Sequence, residues 1–193
     1  MNFRGRKART DTSGENMKKT SRKEAEGRRQ ISRLERLLFR IDAQHKSLGW
    51  AFREIEAIPG LVFELGLGHG RTYDHMRRHL PEREIFVFDR EIDCFADCRP
   101  DDGHLVLGQL AETLPASAAR FGGKAILVNS DVGTYDEAYN VAVAELVSRH
   151  LPPLLAPGAI VLSDLPLTLA GSKPVRLPPG ARDERFFIYR AAG

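Results

Sequence analysis

The stretch LVFELGLGHGRT, residues 61–72, combines residue types that could bind a ligand. An apolar run with a single carboxylate, Glu64, leads directly into three glycines at alternate positions, Gly66, Gly68 and Gly70. Glycine has no Cβ and adopts backbone angles that other residues avoid, so a ligand can lie against the main chain of such a loop. The stretch therefore predicts a ligand-binding turn between a buried strand and a helix.

The spacing of the glycines and the nearby acid argue against a phosphate ligand. The dinucleotide pattern G-x-G-x-x-G/A needs a small residue where Arg71 stands, and no Gly-Lys-Ser/Thr follows as in a P-loop. Glu64 would repel a pyrophosphate and attract a cation, with a Coulomb energy on the order of a few kcal/mol at intermediate dielectric. S-adenosylmethionine fits this expectation because it carries a sulfonium and an ammonium group and has no phosphate.

The ends of the next two apolar runs add groups that suit a nucleoside. Asp89 ends the run IFVFD, where an acid can accept hydrogen bonds from both ribose hydroxyls, although it could instead cap a following helix. After the run HLVLG, the amide of Gln109 could read an adenine edge while Leu110 packs on the adenine face. Because parallel strands end at one edge of a sheet, we expect these groups to line one pocket.

Two acids at later strand ends are candidates for the transfer chemistry. Methyl transfer is an in-line displacement, so alignment of acceptor and methyl group can supply most of the rate, with a general base useful for a protonated acceptor. Asp131 in LVNSDVGTYD is predicted to face cofactor or substrate and to be catalytic; a turn acid or helix cap is the alternative. Asp164 in VLSDLP is the weaker candidate because Asp before Leu-Pro is ordinary turn chemistry.

The order of elements that must position these residues predicts an α/β, doubly wound fold. Strands that read as continuous apolar runs and alternate with helices indicate a parallel sheet buried on both faces. Five such runs occur, GLVFELG, EIFVFD, HLVLG, KAILVNSD and GAIVLSD. The tail KPVRLPPGARDERFFIYRA predicts a terminal hairpin.

Helical spacing also precedes the first strand. It predicts two helices that pack across a face of the sheet or cap its ligand edge. Their apolar positions are Ile31, Leu34, Leu38 and Ile41 in the first helix and Leu48, Phe52 and Ile55 in the second, which stops before Pro59 and Gly60.

Composition sets the domain organisation. With 193 residues and 42% hydrophobic composition, we expect one domain over residues 22–193, with N-terminal helices in 22–59 and the core in 60–193. No apolar run approaches the ~20 residues that a membrane span needs, and no secretory signal opens the chain, so we expect a cytoplasmic protein without a membrane partner. Cys94 and Cys98 lack partners at metal-ligand spacing, and no metal is expected.

The charge is divided unevenly along the chain. Residues 1–40 hold thirteen Lys or Arg and five acids, a net charge of +8, so the +3 of the whole chain leaves −5 on residues 41–193. Residues 1–21 are polar and aperiodic, which predicts a disordered basic tail. Such a tail could contact nucleic acid phosphates, but no aromatic residue between Phe3 and Phe39 could stack on bases, so a solvated tail is favoured.

These residues give the sequence a resemblance to the class I S-adenosylmethionine-dependent methyltransferases. VFELGLGHGRT resembles their first motif, Asp89 matches their ribose-binding acid, and Gln109 replaces the acid usual near the adenine amino group. Over residues 30–193 the sequence is similar, more narrowly, to a small bacterial family described only as S-adenosyl-L-methionine methyltransferases. The resemblance implies a Rossmann-like, mostly parallel seven-stranded sheet with a reversed final strand. It implies a cofactor site of Glu64, Gly66, Leu67, Gly68, His69, Gly70, Asp89, Arg90, Gln109 and Leu110.

We therefore expect an S-adenosylmethionine-dependent methyltransferase. No Asn-Pro-Pro-Tyr signature follows the fourth strand, which favours a small-molecule acceptor over amino groups of nucleobases or glutamine. Two alternatives stay open: a non-catalytic nucleoside- or nucleic-acid-binding module on the same fold, and, less favoured, an NAD(P)-dependent oxidoreductase. Nucleic acid contact through the basic tail is not favoured, and assembly into a homo-oligomer is left open.

Overall fold

A computed structural model describes residues 31–182 and 186–193 of the protein. Residues Leu37–Gly193 form one compact unit, and the described residues before Leu37 belong to another. Four helices are described: α1 (Arg33–Glu54), α2 (Arg71–His79), α3 (Leu110–Phe121) and α4 (Glu137–His150). The strands are β1 (Leu61–Leu65), β2 (Ile85–Asp89), β3 (Leu105–Leu107), β4 (Ala125–Ser130), β5 (Leu155–Ser163), β6 (Ser172–Val175) and β7 (Phe187–Ala191).

The seven strands form one sheet in the order β3-β2-β1-β4-β5-β7-β6. Strands β1 to β5 pair in parallel, whereas β7 runs antiparallel to both β5 and β6. The predicted α/β, doubly wound sheet with a C-terminal antiparallel hairpin is confirmed. The chain moves outward from β1 to β3 and then returns to place β4 beside β1, so the strand order reverses between β1 and β4, where ligands bind in such sheets.

Both faces of the sheet are covered, which explains why its strands read as continuous apolar runs. In β1, Val62 packs into a cluster that includes Leu48 of α1 and Met76 of α2. The next residue, Phe63, packs on the opposite face with Leu114 of α3. Each side chain of this size that is fully buried stabilises the fold by about 1.5–3 kcal/mol. The two faces together hold β1 and β4 rigidly beneath the glycine loop.

The N-terminal helices differ from the expectation. In the described residues the chain forms one continuous helix, α1, where the apolar spacing predicted two, because no Gly or Pro between Ile41 and Leu48 ends the helix. Its second half packs as predicted, with Leu48 and Phe52 buried together with Ile55, which follows the helix. Its first half does not: the predicted apolar face is exposed. Any helical turn before residue 31, and the predicted domain boundary at residue 22, lie outside the described residues.

The connection between β2 and β3 contains two 3-10 turns, Ala96–Cys98 and Asp102–His104. Both cysteines are free thiols, with Cys98 buried. Across residues 31–182 and 186–193, no helix has the length and apolar character to cross a membrane.

Candidate active site at the carboxyl edge of the sheet

The buried acid Glu64 lies at the reversal point of the strand order. It pairs in register with Asn129 of β4, whose Nδ2 donates a hydrogen bond of 2.9 Å to Glu64 Oε2. The other carboxyl oxygen, Oε1, is buried without a hydrogen-bond partner among the described residues. Burial raises the pKa of Glu64 well above its ordinary value, against the lowering effect of the Asn129 hydrogen bond. A buried carboxyl with one unpaired oxygen is suited to a cationic or hydrogen-bonding ligand.

The three glycines of the loop have different surroundings. A Cβ at Gly66 would lie 2.6 Å from the Asp131 carbonyl oxygen, and one at Gly70 would lie 2.6 Å from Cys98 Cβ. Both positions therefore let neighbouring segments approach the loop closely. Gly68, at φ 48°, has no heavy atom within 4 Å of its built Cβ. The middle of the loop is thus the place where a ligand can lie against the main chain.

Asp89 connects the end of β2 to this loop. Its Oδ2 accepts a hydrogen bond of 2.7 Å from Leu67 N, and its Oδ1 accepts one of 2.7 Å from Arg90 N. No helix follows directly, so the alternative of a helix cap is wrong. Gly68 N and Glu91 N make longer contacts of 3.4 Å to Oδ2 and Oδ1, and these weak hydrogen bonds are the ones that ribose hydroxyls could replace.

The remaining predicted cofactor residues surround the loop. Gln109 is exposed at the start of α3, where its side chain does not cap the helix, and Leu110 behind it is half-buried. His69 and Arg90 are exposed, and the His69 ring lies 5.5 Å from the ring of Phe95. Phe95 is half exposed and was not predicted as a site residue; only its place in the connection after β2 could have indicated it.

Asp131, the predicted catalytic acid, follows β4 beside the glycine loop. Arg40 Nη1 donates a hydrogen bond of 2.8 Å to its Oδ1, and Gln44 Nε2 donates one of 3.1 Å to its Oδ2. Both donors lie on α1, one turn apart, so the first helix reaches over the sheet edge. Sequence reasoning missed these two residues. The sequence signal for them was two polar side chains four residues apart on a helix, next to small residues. The same pattern also fits a helix face exposed to solvent.

Asp164 follows β5 and contacts the segment that follows β4, just after Asp131. Its Oδ1 accepts a hydrogen bond of 3.2 Å from Val132 N, and its Oδ2 accepts one of 2.9 Å from Gly133 N. Burial, followed by repulsion from the Asp131 carboxylate, raises the pKa of Asp164 to about 7. A carboxyl group with such a pKa can exchange protons near neutral pH.

The structure thus brings the predicted residues to one edge of the sheet. The glycine loop, Glu64 and Asp89 lie around the ends of β1 and β2, and Asp131 and Asp164 lie around the ends of β4 and β5. This arrangement can bind a nucleoside next to a pair of acids. Within the described part of the chain, no group of three or more His, Cys, Asp or Glu side chains could hold a metal ion.

Comparison with known proteins identifies the family of this chain. A family described as S-adenosyl-L-methionine methyltransferase matches residues 31–191. The crystal structure of an S-adenosyl-L-methionine methyl transferase from Silicibacter pomeroyi DSS-3 is 40% identical, with a TM-score of 0.81, over 84% of this chain and all of that one. TrmN from Thermus thermophilus, at 16% identity and a TM-score of 0.52, covers 75% of this chain and 48% of its own and is similar in fold alone. Among curated proteins, none matches.

Proposed function

This chain belongs to the S-adenosyl-L-methionine methyltransferase family, and from that premise we propose that it transfers the methyl group to a small-molecule acceptor held at the ends of β4 and β5. The observation that carries the proposal is a pair of acids. Asp131 lies beside the glycine loop, and Asp164, whose pKa is raised to about 7, accepts hydrogen bonds from the two residues after Asp131. The oxidoreductase alternative does not survive the family assignment.

The residues present fit S-adenosylmethionine. The unpaired Glu64 Oε1 is the buried acceptor that a cationic group would satisfy, and Gly68 provides bare main chain open to a ligand. We assign the ribose hydroxyls to Asp89 and the adenine to Gln109 and Leu110, with Leu67, His69 and Arg90 flanking the nucleoside. When bound, the cofactor supplies a methyl group made electrophilic by its sulfonium.

In this proposal the two acids of the site have different tasks. Arg40 and Gln44 hold Asp131 in one orientation, so its free lone pairs can orient a hydroxyl or amine of the acceptor. Asp164 would accept the proton that the acceptor atom loses when it is methylated. Arg40 forms an ion pair with Asp131, whereas Asp164 has no cationic hydrogen-bond partner and is the acid assigned to proton transfer.

The proposal of a small-molecule acceptor rests on how few residues surround the acceptor side of the site. The connection between β5 and β6 is short, and α1 and the β6–β7 connection are the elements near the acceptor side, with Lys46 of α1 donating a 2.7 Å hydrogen bond to the Gly180 carbonyl oxygen. This limited extent of chain supports the proposal of a small-molecule acceptor. A single domain over residues 22–193 and a cytoplasmic location remain part of the proposal.

Two measurements test the proposal. Calorimetric titration with S-adenosylmethionine, S-adenosylhomocysteine and NAD should give binding of the first two, and Asp89→Ala should weaken it by ~1–3 kcal/mol, the range for a lost ligand hydrogen bond. Mass spectrometry of small-molecule extracts incubated with the protein and labelled cofactor should then reveal one methylated product. Asp164→Asn should abolish that product while preserving cofactor affinity.

The outcomes distinguish the alternatives. Cofactor binding without any methylated small molecule, together with methylation of added RNA, would identify a nucleic acid acceptor. Cofactor binding with no methylated product of either class would favour the non-catalytic module. Binding of NAD in place of S-adenosylmethionine would contradict the site assignment.

A further inference from the structure

The first half of α1 leaves apolar side chains in solvent. Leu34, Leu37, Leu38 and Ile41, here called the α1 stripe, are 75%, 51%, 60% and 46% exposed. At the same helical spacing further along α1, Leu48 and Phe52 are at most 8% exposed. One apolar face therefore continues along the helix past the part that the body of the protein covers. Contiguous exposed apolar side chains of this kind mark interaction surfaces.

The chain around the α1 stripe is strongly basic. Residues 1–40 carry a net charge of +8, whereas the rest of the chain carries −5. Of the basic side chains on the first turns of α1, Arg33 and Arg36 are exposed. A basic segment with an apolar helical face is the pattern of helices that lie in the interface of an anionic membrane.

Three other occupants fit these features less well. Residues 1–30 contain only five apolar side chains, Met1, Phe3, Ala8, Met17 and Ala25, too few to cover the α1 stripe. A second copy paired through α1 would bring two segments of net charge +8 together, and like charges repel. A nucleic acid would use the charge but leave the four apolar side chains in water.

We propose that α1 docks on an anionic lipid surface, with the α1 stripe inserted at the boundary of headgroups and acyl chains. Burial of the four apolar side chains supplies the hydrophobic part of binding. The basic residues of the N-terminal segment supply an electrostatic part that salt weakens. This surface is separate from Glu64, Asp89 and the glycine loop, so the inference does not depend on which acceptor is methylated.

The test is co-sedimentation of the full chain with large vesicles. Vesicles of phosphatidylcholine with one third phosphatidylglycerol should bind the protein, whereas pure phosphatidylcholine vesicles should bind it about tenfold less or not at all. The triple variant L37Q/L38Q/I41Q should lose about tenfold or more of the binding to anionic vesicles. A matched variant, I58Q/V141Q, replaces two exposed apolar side chains elsewhere and should bind like the unsubstituted protein.

Two further readouts make the result decisive. Both variants should keep the melting temperature and S-adenosylmethionine affinity of the parent, because the replaced side chains are exposed and outside the cofactor site. The proposal is overturned if anionic vesicles do not bind the protein at low salt, or if L37Q/L38Q/I41Q binds them undiminished. It is equally overturned if the parent is a dimer in light scattering that the triple variant converts to a monomer, since the stripe would then bind a second copy.

Discussion

Arg40 on the first helix donates a hydrogen bond of 2.8 Å to Asp131 at the end of β4, across 91 positions of sequence. With Gln44, which donates to the other oxygen, it makes α1 a wall of the candidate site. Asp131 is therefore already paired and oriented, while Asp164 beside it has only main-chain donors. The pair consists of one fixed carboxylate and one that titrates near neutral pH.

The charges around Asp164 should control its pKa. Repulsion from Asp131 raises that pKa and attraction to Arg40 lowers it. Asp131→Asn should therefore lower the pKa of Asp164, and Arg40→Gln should raise it, whereas Arg40→Lys should leave it nearly unchanged because the charge is kept. Carbon-detected NMR titration of the labelled carboxyl groups measures these shifts. A shift in the same direction for Asp131→Asn and Arg40→Gln would contradict the arrangement.

Asp164 should also make stability depend on pH. Its folded pKa of about 7 lies above the value of about 3.9 in an unfolded chain, so the folded state binds the extra proton between these values. The free energy of unfolding should therefore decrease as pH rises from about 4 to about 7, by up to a few kcal/mol. Urea denaturation across this range measures the slope. Asp164→Asn should reduce the slope to the part that the raised pKa of Glu64 contributes, and Glu137→Gln, at an exposed acid on α4, should leave it unchanged.

Cofactor binding should release a proton from Glu64. Burial raises the pKa of Glu64 in the free protein, and a cation beside its unpaired oxygen would lower it again. Affinity for S-adenosylmethionine should therefore rise with pH until Glu64 is ionised in the free protein, then level off. Calorimetry in buffers of different ionisation enthalpy counts the released protons. Glu64→Gln should abolish the proton release, and an unchanged count would refute the link.

Alanine substitutions in the glycine loop should separate ligand space from folding. Gly68→Ala adds a methyl group where no atom lies within 4 Å, at φ 48°, and should cost about 1–2 kcal/mol of stability while blocking the cofactor. Gly66→Ala puts the same methyl group 2.6 Å from the Asp131 carbonyl oxygen and should destabilise the fold more. Thermal melts measure the stability of both variants, and calorimetric titration measures their cofactor affinity. Full cofactor affinity in Gly68→Ala would place the ligand elsewhere.

Removing only one partner of the Glu64–Asn129 hydrogen bond should lower the free energy of unfolding. Asn129→Leu removes the hydrogen-bond donor to Glu64 Oε2 and should lower the free energy of unfolding by about 1–3 kcal/mol. The double variant Glu64→Met/Asn129→Leu should recover much of that loss, because no buried polar atom is then left unpaired. Denaturant unfolding of the two variants and the parent gives the comparison. A double variant less stable than Asn129→Leu would be the contrary result.

Much of the fold could be predicted from the sequence because short local patterns indicate its elements. Continuous apolar runs such as VFEL in β1 and ILV in β4 indicate buried parallel strands, and the tail with Pro-Pro-Gly indicated the hairpin of β6 and β7. The glycine loop could be predicted for the same reason, since Glu64 and the glycines follow one another in a single turn. The alternation of strands and helices then placed Asp89, Asp131 and Asp164 at one edge.

The sequence by itself determined the parallel sheet, the glycine loop and the acids at its carboxyl edge, because residue type and short spacing define these features. Only the tertiary structure decided that α1 is one helix, that Arg40 and Gln44 hold Asp131, and that the α1 stripe stays exposed. Helical spacing is the same whether a face meets the sheet, as at Leu48, or solvent, as at Leu38. Contacts between residues about 90 positions apart depend on how the sheet is assembled, and no local pattern encodes them.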